Sequence, residues 1–448
     1  MDVESGAVAQ ERHEGGFFRW PTRILGPMPD LKVINVACWS LVLALFITRF
    51  CIPLWIQFKA GKGSIPLMPA DFIYFYGIGH IVKDYPALRL YDWSLQTKVF
   101  NDVFSDPKFV YGPSPYPPFV GLFFSMFARV SFRLAFFIWM FFSLGLYSFG
   151  IVALSNDIFP GERVKVSLIL CFSVATFPFF WGILVSGQLT SLAVCSVGLA
   201  ILQERQSRPF LSGLALSIMA YKPTLLLFII PMLFVTRRFK TLAGFITGGA
   251  MLMLVATAFM GGQIWPTYIH FLSLFDRVVG LSGHRVFELW KFIEIGSCLQ
   301  AVAGNHLEAV TIIKYAVTIP IATGLAVMLW KSATGSRAAQ SLAWAATLTW
   351  TLLLNVYVPL YDAVLVGIAV VLTLGAAKDL EWRAARLWIT ALSFLMFAIS
   401  WITCDVAKSY GIQLISVSLA AFGIAQLYML YCVIQNRLPM QVSAVGLG

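Results

Sequence analysis

The chain is poor in charge. Only 12% of its 448 residues are Asp, Glu, Lys or Arg, about half the share in soluble domains, which excludes an ordinary water-soluble globule. Five histidines are scattered at 13, 80, 270, 284 and 306 with no H-x-x-x-H or carboxylate cluster at ligand spacing. No metal centre is therefore expected. Seven cysteines (38, 51, 171, 195, 298, 404 and 432) are odd in number and sit mostly inside apolar runs, so no disulfide framework is expected. No G-x-G-x-x-G stands between a strand and a helix, and so no dinucleotide-binding domain is expected. Residues 1–32 contain no apolar core, so no cleavable signal peptide is expected, and the run 33–57 reads as a signal-anchor. No internal repeat is visible, which argues against an inverted-repeat transporter.

What the chain has in abundance is apolar sequence: 59% of residues are hydrophobic, in blocks near the roughly twenty residues that a membrane helix needs. Strands of a membrane barrel would instead alternate apolar and polar over about ten residues. The expected fold class is therefore an all-α polytopic membrane protein. Blocks fall at 33–57, 116–131, 132–154, 164–182, 188–203, 209–235, 240–260, 307–330, 338–354, 357–376, 386–403 and 411–434. One transmembrane domain, 33–434, is expected between a tail of residues 1–32 and a tail of residues 435–448. The net charge of +11 is spread over short loops, a pattern of membrane topology and contact with anionic lipid heads rather than of nucleic-acid binding.

The loops TRRFK (236–240), KSATGSR (331–337) and AAKDLEWRAAR (376–386), with QNRLP (435–439), carry much of the positive charge. The positive-inside rule places them in the cytoplasm. The long segments 58–115 and 261–306 then face outward, and an even number of crossings must separate them. Reading 209–235 as one helix kinked at Tyr221-Lys222-Pro223 satisfies that parity, with twelve crossings in all and both tails inside. It also places GERVK (161–165) and ERQSR (204–208) outside. A re-entrant segment around WGILVSGQL (181–189) is the other way to restore parity.

Polar residues stand out against this background. PADFIYFYGIGHIVKD (69–84) reads as an interfacial helix with aromatics on one side and Asp71 near its N-cap. The plain reading of Asp71 is a cap and nothing more. Lys222 lies inside an apolar run, where a charge costs at least about 2.5–3.5 kcal/mol unless it is paired or faces a cavity; the plain alternative is a lysine that snorkels to the surface. In the second outer segment, Ser282-Gly283 forms a turn able to turn backbone N–H groups towards an anion. That selects His284 and Arg285 there, against the alternative of a solvated helix touching lipid phosphates.

The runs PADFIYFYGIGHIVKDYPALRLYD, YPPF (116–119), SGQL (186–189), YKPTLLLFIIP (221–231) and PLYD (359–362) together, in that order, resemble glycosyltransferase family 87. That family has the membrane-embedded GT-C architecture and includes polyprenol-phosphate-mannose-dependent mannosyltransferases. The resemblance implies transfer of a hexose, mannose among the candidates, from a polyprenyl-phosphate-linked donor to a lipid or glycan acceptor, without a cofactor. It implies Asp71 as general base, free to share a lone divalent ion with a substrate phosphate, and cations around the donor phosphate. For those the local sequence offers Lys222, His284 and Arg285, with Gln188 as a neutral donor or else a mere helix cap. Tyr74, Tyr76 and His80 would line the acceptor pocket, and Asp362 there would orient a cation or an acceptor hydroxyl, the plain alternative being a structural partner for a Lys or Arg. The aromatic pair after Asp-Phe is split here into Tyr74 and Tyr76, a departure from the family pattern. A bacterial inner membrane, with the site facing the periplasm, is the implied location. Two other classes compete: a transporter or flippase of lipid-linked sugars, and an O-antigen-ligase-like polymerase that relies on cations rather than a carboxylate.

Overall fold

The computed structural model describes residues 30–53, 55–56, 71–103, 112–281, 288–303 and 307–435. Among them the structure is helical, with a single isolated bridge between Phe292 and Pro359. In chain order the helices are α1 (Leu31–Phe46), α2 (Phe72–Asp84), α3 (Trp93–Val103), α4 (Pro118–Ser125), α5 (Phe132–Ile158), α6 (Arg163–Val174), α7 (Thr190–Arg205), α8 (Pro209–Ser217) and α9 (Ile229–Val235). They continue with α10 (Phe239–Met260), α11 (Ile264–Leu281), α12 (Ile295–Ala303), α13 (Leu307–Ser332), α14 (Arg337–Leu353), α15 (Val366–Asp379), α16 (Arg383–Ser400), α17 (Thr403–Tyr410) and α18 (Leu414–Ile434). Seven stretches are long and apolar enough to cross a membrane, and an eighth arises if α6 and the segment Phe177–Val185, bent by 66° against it, count as one. The protein is thus an all-α polytopic membrane protein. That criterion gives seven or eight spans where the hydropathy blocks suggest twelve, because several apolar helices are shorter than a bilayer is thick.

One end of the bundle gathers the charged loops. Arg205 pairs with Asp157, and Arg238 with Glu204; Lys378 reaches Glu162 at 2.9 Å. Thr241 and Trp344 also donate to Glu204, at 3.1 and 2.8 Å. GERVK and ERQSR therefore lie at the same end as TRRFK and the 376–386 loop. This corrects the expectation that they face the opposite side.

The correction comes from 209–235, which is a hairpin and not one kinked helix. The backbones of α8 and α10 touch: a Cβ on Gly213 would lie 1.9 Å from the Thr241 carbonyl oxygen, and one on Gly244 would lie 2.1 Å from that of Phe210. Gly248 meets Ser217 in the same way, at 2.2 Å from its hydroxyl. Contacts that advance from 210 to 217 on one helix and from 244 to 248 on the other mean parallel helices, so the chain between them must turn back. It turns at Lys222, where helical dihedrals break (φ −136°, ψ 80°) ahead of Pro223. Proline has no N–H to continue a helix and disfavours helical dihedrals in the residue before it.

A second correction restores parity. Pro118–Arg129, expected to cross, stays beside α2: a Cβ on Gly79 would lie 2.4 Å from the Phe124 carbonyl oxygen, and the Tyr76 hydroxyl donates to the Val130 carbonyl at 2.7 Å. The described parts of 58–115 and 261–306 accordingly meet at the far end, where Tyr268 donates to the Pro115 carbonyl at 3.2 Å and its ring lies 5.1 Å from that of Tyr91.

Candidate active site

Asp71 occupies the N-cap position of α2, but its side chain makes no capping bond. The carboxylate instead meets the side chains of Gln188 and Ser186, and the Phe72 N–H donates to the Ser186 carbonyl at 2.9 Å. The turn that presents those groups depends on Gly187, whose φ of +71° favours glycine. There is no room for more: a Cβ at this position would sit 2.9 Å from the Cβ of Phe72. Trp139 fixes the turn by donating to the Gly187 carbonyl at 2.8 Å, and the Gln188 N–H donates to the Gly182 carbonyl at the same distance. Burial raises the Asp71 pKa, opposed by the hydrogen bonds from Gln188 and Ser186 and by the positive charges of Lys291 and Lys222.

Lys222, at the tip of the hairpin, points its ammonium at the carboxylate of Asp362, which is fully buried and also accepts from the Thr190 hydroxyl at 3.1 Å. The rings of Tyr361 and Tyr357 flank the ammonium, with centroids 4.9 and 5.8 Å away, within cation–π range. Four separate pieces of chain thus converge: the N-cap of α2, the turn before α7, the hairpin tip, and the strap 354–362. Snorkelling does not describe this lysine, which is paired and largely buried. Its ammonium has three protons, and Asp362 engages one side of it.

Of the remaining residues singled out in the sequence, Tyr74 lies on the Asp71 side of α2. Its hydroxyl accepts from the Gly112 N–H at 3.3 Å, and its ring meets Phe100 edge-on at 5.2 Å. Tyr76 and His80 face another way. The Tyr76 hydroxyl is committed to the Val130 carbonyl, and His80 bonds Asp84 at 2.8 Å one helical turn on. Both border a separate cavity of about 390 Å³ with Asp84, Asp102 and Phe132. The structure does not bring these two residues to Asp71. The sequence-selected His284 and Arg285 lie outside the described residues. The described parts contain no group of three or more His, Cys, Asp or Glu residues placed to hold a metal.

Sequence reasoning missed Ser186, Thr190, Tyr357, Tyr361 and Lys291. Ser186 opens the SGQL run and Thr190 follows it, and the two tyrosines flank VPL just before Asp362 in YVPLYD, so the signal was polar residues within or next to motifs already noted. Lys291 was passed over in favour of His284 and Arg285. It is half-exposed, bonded to Glu288 at 2.7 Å, and its charge acts on Asp71.

The model of one protein family, Glycosyltransferase family 87, matches residues 115–359, more than half of the chain. The matched segment contains Gln188, Thr190, Lys222 and Tyr357, whereas Asp71 and Asp362 fall outside it. No curated protein and no solved structure matches the chain.

Proposed function

The chain belongs to glycosyltransferase family 87, and from that premise we propose that this membrane glycosyltransferase takes a hexose from a polyprenyl-phosphate donor. Family membership decides for an enzyme over a transporter. The donor, acceptor and orientation are our reading.

The observation that carries the reading is the meeting of Asp71 with Gln188 and Ser186 within electrostatic reach of the Lys222 ammonium. A carboxylate accepts the proton of an acceptor hydroxyl as its oxygen attacks the anomeric carbon. The bond from that carbon to the phosphate oxygen breaks, and its electron pair leaves on the phosphate. Attack from the opposite face inverts the anomeric centre. Lys222, with ammonium protons beyond the one engaged by Asp362, meets the charge that develops on the leaving oxygen. Gln188 orients the Asp71 carboxylate and offers a neutral donor to the sugar or phosphate. Tyr74, on the same side of α2, lines the acceptor approach.

A lipid donor is supported by an apolar cavity of about 370 Å³ between α1, α5, α6 and the bent segment, lined by Trp39, Phe46, Leu144, Phe180, Leu184 and Trp401. One wall of this groove, Leu184, is two residues before Ser186 in the chain. The basic end, with Arg163, Arg205, Arg238 and Lys378, goes to the cytoplasm by the positive-inside rule. The site then opens on the outer face of a bacterial inner membrane, towards a lipid or glycan acceptor.

The test is turnover by the purified protein on prenyl-phosphate mannose and glucose, for the parent and for Asp71→Asn. Loss of general-base catalysis removes about 10²–10⁴-fold, with donor binding kept. An Asp71→Asn variant that turns over like the parent sinks the assignment.

A further inference from the structure

We propose that Glu294 is a positioning residue: by holding the backbone of the strap 354–362 it keeps Tyr357, Tyr361 and Asp362 arranged around Lys222. The proposal rests on the reading of that cage as the donor-phosphate site.

Glu294 is only 2% exposed, which is rare for a carboxylate unless its oxygens are satisfied. Here they are. One oxygen accepts the Val358 N–H at 3.1 Å, and the other accepts the Ser297 hydroxyl. The Ile293 N–H donates to the Val358 carbonyl at 3.0 Å, Phe292 bridges antiparallel to Pro359, and the rings of Phe292 and Tyr357 lie 4.9 Å apart. Residues 292–294 of the outer segment are thus zipped to residues 357–359 of the strap. At the other anchor, Asn355 donates from its side-chain nitrogen to the Thr224 carbonyl at 2.8 Å, two residues past Lys222.

The strap is therefore pinned at one point to the hairpin tip and at a second to the outer segment that carries Lys291. The groups that surround the Lys222 ammonium follow from these two anchors. Of the contacts at the second anchor, the Glu294 side chain alone accepts the Val358 N–H. Without it that amide is buried and unpaired, a costly state that the strap relieves by shifting. What the position requires is a hydrogen-bond acceptor at the right reach, so an amide oxygen serves as well as a carboxylate.

The test uses the full-length protein in detergent, with undecaprenyl phosphate as probe. It compares Glu294→Leu, which removes the acceptor, with Glu294→Gln, which keeps it. Amide hydrogen exchange over residues 356–362 should rise in Glu294→Leu, and the probe Kd should weaken about ten-fold or more. Glu294→Gln should stay within about two-fold of the parent on both readings. Rescue by glutamine distinguishes positioning from a need for charge, and loss of probe affinity measured well below the variant's Tm distinguishes it from loss of the folded state. Glu294→Asp keeps the charge but shortens the reach, and shows the same loss in milder form should Glu294→Leu fail to fold. Parental exchange and affinity in Glu294→Leu, or in Glu294→Asp where the leucine variant does not fold, overturn the proposal. So does a Glu294→Gln as impaired as Glu294→Leu. A parent that does not bind undecaprenyl phosphate overturns the donor reading of the cage instead, and the exchange data then decide the clamp separately.

Discussion

Lys222 and Asp362, 140 positions apart in the chain, form one ion pair with the carboxylate wholly buried. Breaking a buried pair by removing one partner leaves an uncompensated charge and costs about 3–5 kcal/mol. Asp362→Ala should destabilise the protein by about that much in detergent unfolding. The double change Lys222→Met with Asp362→Leu should regain most of the stability and none of the turnover. Additive losses in the double variant would show that the two groups do not depend on each other.

The pH dependence of kcat/KM should report Asp71. Burial raises its pKa above the ordinary 3.8, and only the deprotonated form is a base, so activity rises with pH through a limb above that value. Stability runs the other way. A carboxyl whose folded pKa exceeds its unfolded one stabilises the fold below the unfolded pKa, and that contribution fades as pH rises through the folded pKa. Gln188→Leu removes a hydrogen bond that favours the carboxylate and should move the limb further up. A limb unmoved in that variant would detach it from Asp71.

Gly187→Ala should impair turnover more than folding. A left-handed φ of +71° strains any other residue by roughly 1–3 kcal/mol, and the added Cβ meets Phe72, the neighbour of Asp71. Unfolding in detergent should show a modest loss while kcat falls at least ten-fold. Parental kcat would mean that the turn does not set the position of Asp71.

The hairpin is open to cysteine labelling in a cysteine-free background. Ser207→Cys and Arg237→Cys, on the loops either side of 209–235, should react from the same face of the membrane. Ser94→Cys and Gly262→Cys should react from the other face. Opposite labelling of positions 207 and 237 would return 209–235 to a single crossing.

Part of the site was legible because chemistry out of place is visible in one dimension. Lys222 inside an apolar run is a charge where the local sequence gives it no solvent, whereas Asp71, locally only a helix cap, and Gln188 in SGQL stood out through the family resemblance. Tyr76 and His80 were grouped with Asp71 by proximity in the chain, and the helix turned them to another face. Glu294 was not legible at all, since its role depends on the Val358 amide 64 positions away.

Hydropathy and charge by themselves determined the all-α class of this protein and its membrane character. Each of those rests on the cost of moving groups from water, a property of the residues summed along the chain. Only the tertiary structure decided that 209–235 turns back at Lys222. The 27 residues of that run span about 40 Å as one helix at 1.5 Å per residue, or fold into two short arms, and the transfer cost of the two is similar. The close approach of Gly213 to Gly244 selects the second. The same packing brings Lys222 to Asp362. The attraction between two charges depends on their separation in space, and that separation exists only once the helices between them have packed.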